Sequence, residues 1–434
     1  VTSEIEMRIE KLVVTPIALG DPPLLNANGL HAPYALRIVL ELVTEAGIVG
    51  LSEIPGDPAV LEALELLAPA LAGASVFDAR LVERRIREAL GDPAREARGD
   101  SSFDRRRSVH VTSAIEVACL DAIGKRFGCR VVDLLGGPAR ERVPYSGYLF
   151  FKYEGAGGPL GFEMDPNARG WAAARQAPAL DADGIVRQAR AMIETFGFRS
   201  LKVKAGILEP DLEVSATLAL REAFGKDVPI RIDPNAVWSF ETALRQGERL
   251  LGVIEYYEDP VRGQTEMARL RRALAIPLAT NMCTTSFEEL PTSIALGSED
   301  IILADHHFWG GLRSSMELAR LCATFGRDLS MHSNSHAGIS LAAMTHLGAA
   351  LPNLKYALDT HYPWQEDEII AGGRLAIADG SVALPNGPGL GVELDRQALE
   401  HAHRRYLESG IVRRDDELEM QKREPGWRFQ KTRY

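Results

Sequence analysis

The chain has 434 residues, 46% hydrophobic and 25% charged, the profile of a globular protein with a large core. Its net charge of -11 argues against a nucleic-acid partner, because phosphate binding needs clustered Lys and Arg. No apolar run reaches the roughly 18 residues of a membrane span, and the charged N-terminal VTSEIEMRIEKL lacks the apolar stretch of a signal peptide.

Cys119, Cys129, Cys283 and Cys322 form no C-x-x-C pair, so they are expected to be small buried residues in a reducing cytoplasm. From Glu4 to Gly50 the sequence alternates as strands do (IEKLVVTPIAL, LRIVLELVTEAGIVG). Amphipathic stretches at Ala59 to Leu71, Asp78 to Leu90 and Val109 to Phe127 follow, predicting helices. Residues 1–135 therefore read as an α+β unit, strands first and helices after.

After Val143 the rhythm changes to short apolar runs, each followed by a helix-sized segment. The runs are VPYSGYLFF, SLKVKAG, PIRIDPN, IEYYEDP, IPLATNM, DIILADHHF, LSMHSNS and KYALDTH. Parallel strands with crossover helices have this signature, and a TIM-type barrel over residues 136–388 accommodates the series. An open doubly wound sheet is disfavoured, because no G-x-G-x-x-G or phosphate loop follows the first run, and GPGLG at Gly387 to Gly391 reads as a plain loop.

The runs end in residues that make poor core. Lys202 and Lys204 close the second, then Asp233, Glu258, Asn281, Asp305, His332 and His361 arrive at gaps of 25, 23, 24, 27 and 29 residues. In a barrel all of these sit at the C-terminal mouth and face one pocket. The oxygen donors Asp233, Glu258 and Asn281 suit a hard divalent cation. Residues two apart on a strand share a face, so both lysines can point into the same mouth.

LKVKAG, DPNAVW, YYEDP, LATNM, ADHHFW, MHSNSHAGISLAAMTH and LDTHYPWQ resemble the enolase superfamily, and within it the glucarate dehydratase group. The likeness runs from NANGLHAPY through SGYLFF to RRDDELEMQ and PGW. It implies a (β/α)7β barrel with an N-terminal α+β capping domain, completed by residues 389–434 returning to the cap. It implies a cytoplasmic, Mg2+-dependent hydro-lyase, a homo-oligomer that acts on a small diacid sugar. The expected reaction converts D-glucarate, or its epimer L-idarate, to 5-dehydro-4-deoxy-glucarate. Alternatives left open are dehydration or epimerisation of another acid sugar, and a silent paralogue that only binds a diacid.

By the same resemblance Lys204 is a base and Lys202 stabilises the enediolate, while Asp233, Glu258 and Asn281 hold the metal. His332, oriented by Asp305, is the second base, for substrates of opposite configuration, and the acid that helps hydroxide leave. His336, four residues on, is read as a polar residue at a helix start, since the Glu of H-E-x-x-H and a third ligand are both missing. Asn26, His31, Ser102, Tyr148, His361 and Arg414 match positions that contact substrate in the group, and Asn334 is a further candidate. Which of Arg413 and Arg414 faces inward is open. The long Gly- and Pro-rich run from Lys152 to Gly184 is expected to cover the pocket with the 20s loop. After E-D-P the chain passes directly to VRGQTEM, where better-known members carry a longer acidic segment.

Overall fold

The computed structural model describes residues 7–92, 95–99, 104–157 and 164–434. The candidate Ser102 lies outside them.

The N-terminal strands β1 (Ile9–Gly20), β4 (Tyr34–Thr44) and β5 (Val49–Pro55) form an antiparallel sheet in the order β1-β4-β5, and β2 (Leu24–Asn26) pairs with β3 (Gly29–His31) in a separate short hairpin. Successive side chains of β4 point to opposite faces, and both are covered: Ile38, Leu40 and Leu42 join one core cluster, Ala35 and Val39 another. The first cluster is completed by helices Pro58–Leu71, Ala79–Leu90 and Arg107–Phe127. The first of these buries Val60, Leu64, Leu67 and Leu71, one face at helical spacing, and Asp57 caps it by accepting the Ala59 N–H.

The eight apolar runs become eight parallel strands: β6 (Arg142–Phe150), β7 (Leu201–Lys204), β8 (Ile230–Asp233), β9 (Tyr256–Glu258), β10 (Leu278–Thr280), β11 (Ile301–Ala304), β12 (Asp328–Met331) and β13 (Leu358–Thr360). They pair in chain order from β6 to β12, and β13 returns to pair with β6, Leu358 opposite Tyr145. Between β12 and β13 the seam is held by a bridge from Leu329 to Leu354 and by Ser330 Oγ donating to the Ala357 carbonyl at 3.2 Å. The strands are separated by the crossover helices Ala182–Phe196, Pro210–Phe224, Phe240–Leu250, Gln264–Ala273, Leu290–Leu296, Leu312–Thr324 and Gly338–Ala350, with the shorter Gly170–Gln176 also between β6 and β7. A 3-10 turn, Tyr362–Trp364, follows β13, so the architecture is a (β/α)7β barrel. Strands covered on both faces read as unbroken apolar runs, which is why they were visible in the sequence.

The helix Gly338–Ala350 is buried over its whole length. A Cβ on Gly348 would come within 2.8 Å of Val143 and 2.9 Å of Leu358, so only glycine lets this helix lie so close to the barrel wall. The hairpin β14 (Ile377–Ala378) and β15 (Ser381–Ala383) extends β6 at its N-terminal end. The chain then returns to the cap, where helix Arg396–Ser409 packs on β1 and His403 Nδ1 lies 2.7 Å from the Pro16 carbonyl. No described helix is long and apolar enough to cross a membrane.

One sequence expectation is corrected, the burial of Cys129. The run from Lys152 to Gly184 contains, in its described part, helix Gly170–Gln176, and Lys152 is fully buried. Trp171 Nε1 donates to the Pro363 carbonyl at 2.9 Å and Arg175 Nε to the Trp364 carbonyl at 2.7 Å, which ties the segment to the turn after β13. Of the cysteines, all free, Cys119, Cys283 and Cys322 are buried, but Cys129 is half-buried because it follows the exposed helix end at Gly128.

Candidate active site

Lys202 and Lys204 project from one face of β7 toward the adjacent strand. Lys204 Nζ donates to Asp233 Oδ2 at 2.6 Å, and Lys202 Nζ stands 3.6 Å from the same oxygen. Lys202 also donates to Glu258 Oε1 at 2.7 Å and Asp359 Oδ2 at 2.6 Å. Burial disfavours its ammonium, but Asp359 and Glu258 outweigh burial and hold Lys202 well above the usual lysine value. Lys202 is therefore a fixed cation. The ring of Tyr148 lies under both amines, its centroid 4.7 Å from Lys202 Nζ and 5.9 Å from Lys204 Nζ.

Asp233, Glu258 and Asn281 close the adjacent strands β8, β9 and β10. Among the described residues, Asn281 Oδ1 is buried with no hydrogen-bond partner, and Glu258 Oε2 has no aligned donor although Lys202 Nζ is 2.6 Å away. Burial and the neighbouring Asp233 push Glu258 well above the usual carboxylate range. Two buried carboxylates that resist ionising together, beside an unpaired amide oxygen, are what a divalent cation relieves, and an all-oxygen set fits Mg2+. Asp259, the next residue after Glu258, accepts the Asn281 N–H at 2.9 Å and so fixes the end of β10.

On β12, His332 Nδ1 lies 3.1 Å from Asp305 Oδ2. Asp305 Oδ1 accepts the His307 backbone N–H at 3.0 Å and lies 2.7 Å from His307 Nδ1. Burial opposes ionisation of Asp305, yet the two histidines hold it well below the usual carboxylate range. Burial lowers His332, with Asp305 pulling the other way, so its ring is neutral near neutral pH. His361 is lowered well below its ordinary value by burial and by the neighbouring His332 and His336. The helix after β12 begins only at Gly338, so His332 and His336 share no helical face; His336 is buried, 3.1 Å from Thr360 Oγ1.

The cap closes the pocket from above. His31 and Asn26 come from the β2–β3 hairpin, and Arg414 from the C-terminal segment. Arg414 is the arginine that faces inward, paired with buried Asp416 at 2.7 and 2.6 Å, whereas Arg413 is 61% exposed with Asp57 3.7 Å away. The Asn26 amide donates to Asp416 Oδ2 at 2.7 Å, and its oxygen accepts the Asn28 N–H.

Lys204, Asn281, His332, Asn334, Tyr148, His361, His31, Asn26 and Arg414 thus line one pocket of about 40 Å³. That volume holds a few waters at most. A cavity of about 320 Å³ between cap and barrel shares His31, Asn334, Ser335 and Arg414 with it but has none of the lysines or oxygen ligands. A six-carbon ligand therefore needs part of that space, or movement of the cap.

Besides Asp416, sequence reasoning passed over further side chains that the structure brings into the network. Asp359 and His307 sat inside the quoted LDTH and ADHHFW runs; Asn235, whose N–H donates to Asp233 Oδ1 at 2.9 Å, sat in DPN. Asp21, 3.0 Å from His31 Nδ1, carried no signal beyond lying ten residues upstream.

A family model described as enolase C-terminal domain-like matches residues 184–398. The probable glucarate dehydratase of Streptomyces coelicolor is 43% identical over 432 residues, 97% of each chain. The chain belongs to the enolase superfamily. It is an enzyme, a glucarate dehydratase-like lyase. An enolase from Thermobispora bispora, solved with magnesium and formate, is 48% identical with a TM-score of 0.90, over 98% of this chain and 99% of that one. One from Pseudomonas fluorescens, with magnesium, potassium and tartrate, is 44% identical with a TM-score of 0.91, over 99% and 100%.

Proposed function

We propose that the protein dehydrates a C6 aldaric acid, D-glucarate or its epimer L-idarate, to 5-dehydro-4-deoxy-glucarate, with Mg2+ held by Asp233, Glu258 and Asn281. Acid-sugar dehydration is the activity its superfamily relatives support. The observation that carries it is the meeting in one pocket of two candidate bases, Lys204 and His332, beside the fixed Lys202 cation and the oxygen ligands. Relatives solved with magnesium and small carboxylic acids support the choice of metal and substrate class.

When bound, the cation supplies positive charge to the carboxylate oxygens as the α-proton leaves. Lys202, held as an ammonium by Asp359 and Glu258, adds a second positive charge there. His332 gives its Nδ1 proton to the bond with Asp305, which leaves the Nε2 lone pair to take the α-proton. The β-hydroxyl then departs with that same proton as water, His332 returns to neutral, and the enol becomes a ketone. Lys204 serves the opposite configuration; it reaches the pocket from β7, three strands from β12 by the shorter way round. The proposed division is a cap at 1–135, a barrel at 136–388 and a returning segment at 389–434, supported by the packing of helix Arg396–Ser409 on β1.

The test is incubation with Mg2+ and a panel of hexaric acids, assayed for keto acid with semicarbazide. Ketone from D-glucarate is expected. Proton exchange without ketone would point to epimerisation, which two bases on one carbon allow.

A further inference from the structure

Asp21 and His31 form a second His–Asp pair, at the cap end of the pocket. His31 Nδ1 lies 3.0 Å from Asp21 Oδ2, and its Nε2 is buried in the pocket wall beside Asn334 and Arg414, without a hydrogen-bond partner among the described residues. Asp21 is fully buried and is itself held by Ser335 Oγ at 3.2 Å and Gln365 Nε2 at 2.7 Å, so it fixes the ring. The charged or titratable groups facing the pair are Arg175 from helix Gly170–Gln176, Arg414 and Asp416 from the C-terminal segment, and His361 after β13.

The tautomer decides what this wall recognises. With Asp21 ionised, Nδ1–H donates to it and Nε2 turns a lone pair toward the pocket, which repels a carboxylate. Nε2 becomes a donor only when the pair holds one more proton, either on the imidazole or on Asp21, which then donates to Nδ1.

We propose that Asp21 is a positioning residue for substrate selection: the Asp21–His31 pair holds one extra proton when a diacid is bound, which makes Nε2 a donor to the carboxylate far from the reacting carbon, and above neutral pH that proton is taken up on binding. This rests on the diacid reading above. Burial pushes Asp21 up to about 7 against the pull of Arg175 and Arg414, and lowers His31 to about 3. The extra proton is therefore in place before binding at pH 6 and absent at pH 8.

The test is titration calorimetry of the Mg2+-loaded protein with adipate, a six-carbon diacid with no hydroxyl to eliminate. Buffers of different ionisation enthalpy count the protons, and hexanoate is the one-carboxylate control. Adipate should take up close to one proton at pH 8 and almost none at pH 6, with Kd rising about tenfold per pH unit above neutrality; hexanoate should take up none. In Asp21→Asn the amide N–H can donate to Nδ1 while its oxygen keeps Gln365, so binding should persist and the uptake vanish. Adipate binding without uptake in the wild type, or uptake unchanged in Asp21→Asn, would overturn the inference and leave the diacid reading standing. Failure of adipate to bind at either pH would overturn both.

Discussion

Asp305→Asn tests the tautomer on which the His332 role depends. Oδ1 of Asp305 accepts the His307 backbone N–H at 3.0 Å and lies 2.7 Å from His307 Nδ1, while Oδ2 lies 3.1 Å from His332 Nδ1. An asparagine there must keep its oxygen on the His307 side, because an NH2 would face the backbone N–H. Its NH2 is then left pointing at His332 Nδ1, which becomes an acceptor. The ring proton moves to Nε2, and the lone pair that takes the α-proton is lost. A catalytic histidine held in the wrong tautomer costs about 10⁴ in rate, or about 5.4 kcal/mol of activation free energy. The assay is α-proton exchange in D2O, followed by NMR, with epimers of opposite configuration at the reacting carbon. Exchange on the His332 side should fall about 10⁴-fold, and exchange through Lys204 should be nearly unchanged. Equal losses on both epimers, or no loss on either, would refute the reasoning.

Three further outcomes follow from the geometry. Asn281→Asp adds a third carboxylate to the oxygen set, so Mg2+ should bind about tenfold tighter, about 1.4 kcal/mol, and diacids more weakly; unchanged Mg2+ affinity by calorimetry would remove Asn281 from the ligands. Gly389→Ala forces a side chain into a φ of +68° and against the buried Asp121, which accepts the N–H groups of Leu51 at 2.8 Å and Leu390 at 2.7 Å. Urea denaturation should show a loss of about 2–4 kcal/mol, and a loss near zero would contradict the packing. Burial lowers His346 to about 4, and its Nδ1 accepts the Val132 N–H at 3.2 Å, which only the neutral ring can do. Between pH 6.5 and 4 the unfolded chain binds a proton there that the folded chain does not, so up to about 3 kcal/mol of stability is lost as pH falls through that window; His346→Gln should flatten the fall.

The barrel was legible because strands buried on both faces leave unbroken apolar runs, and because polar residues at their ends interrupt those runs on a period. Asn281, Asp305 and His332 stood out in this way. Asp359 did not, since it lies within β13 and its partner Lys202 is 157 positions away. The pairing of Asp21 with His31, and the capture of the Asn26 amide by Asp416, are likewise tertiary: neither leaves a periodic trace. Length and composition marked out the segment after Lys152 but not its anchoring: Trp171 and Arg175 reach carbonyls of the turn after β13, contacts that no local pattern encodes.

The central claim is that one pocket removes an α-proton from either of two epimers and then expels hydroxide. Its most direct measurement is ketone formation from D-glucarate and from L-idarate, run side by side with Mg2+ and followed by NMR. The same 5-dehydro-4-deoxy-glucarate is expected from both. Ketone from one epimer only, with no proton exchange in the other, would contradict it.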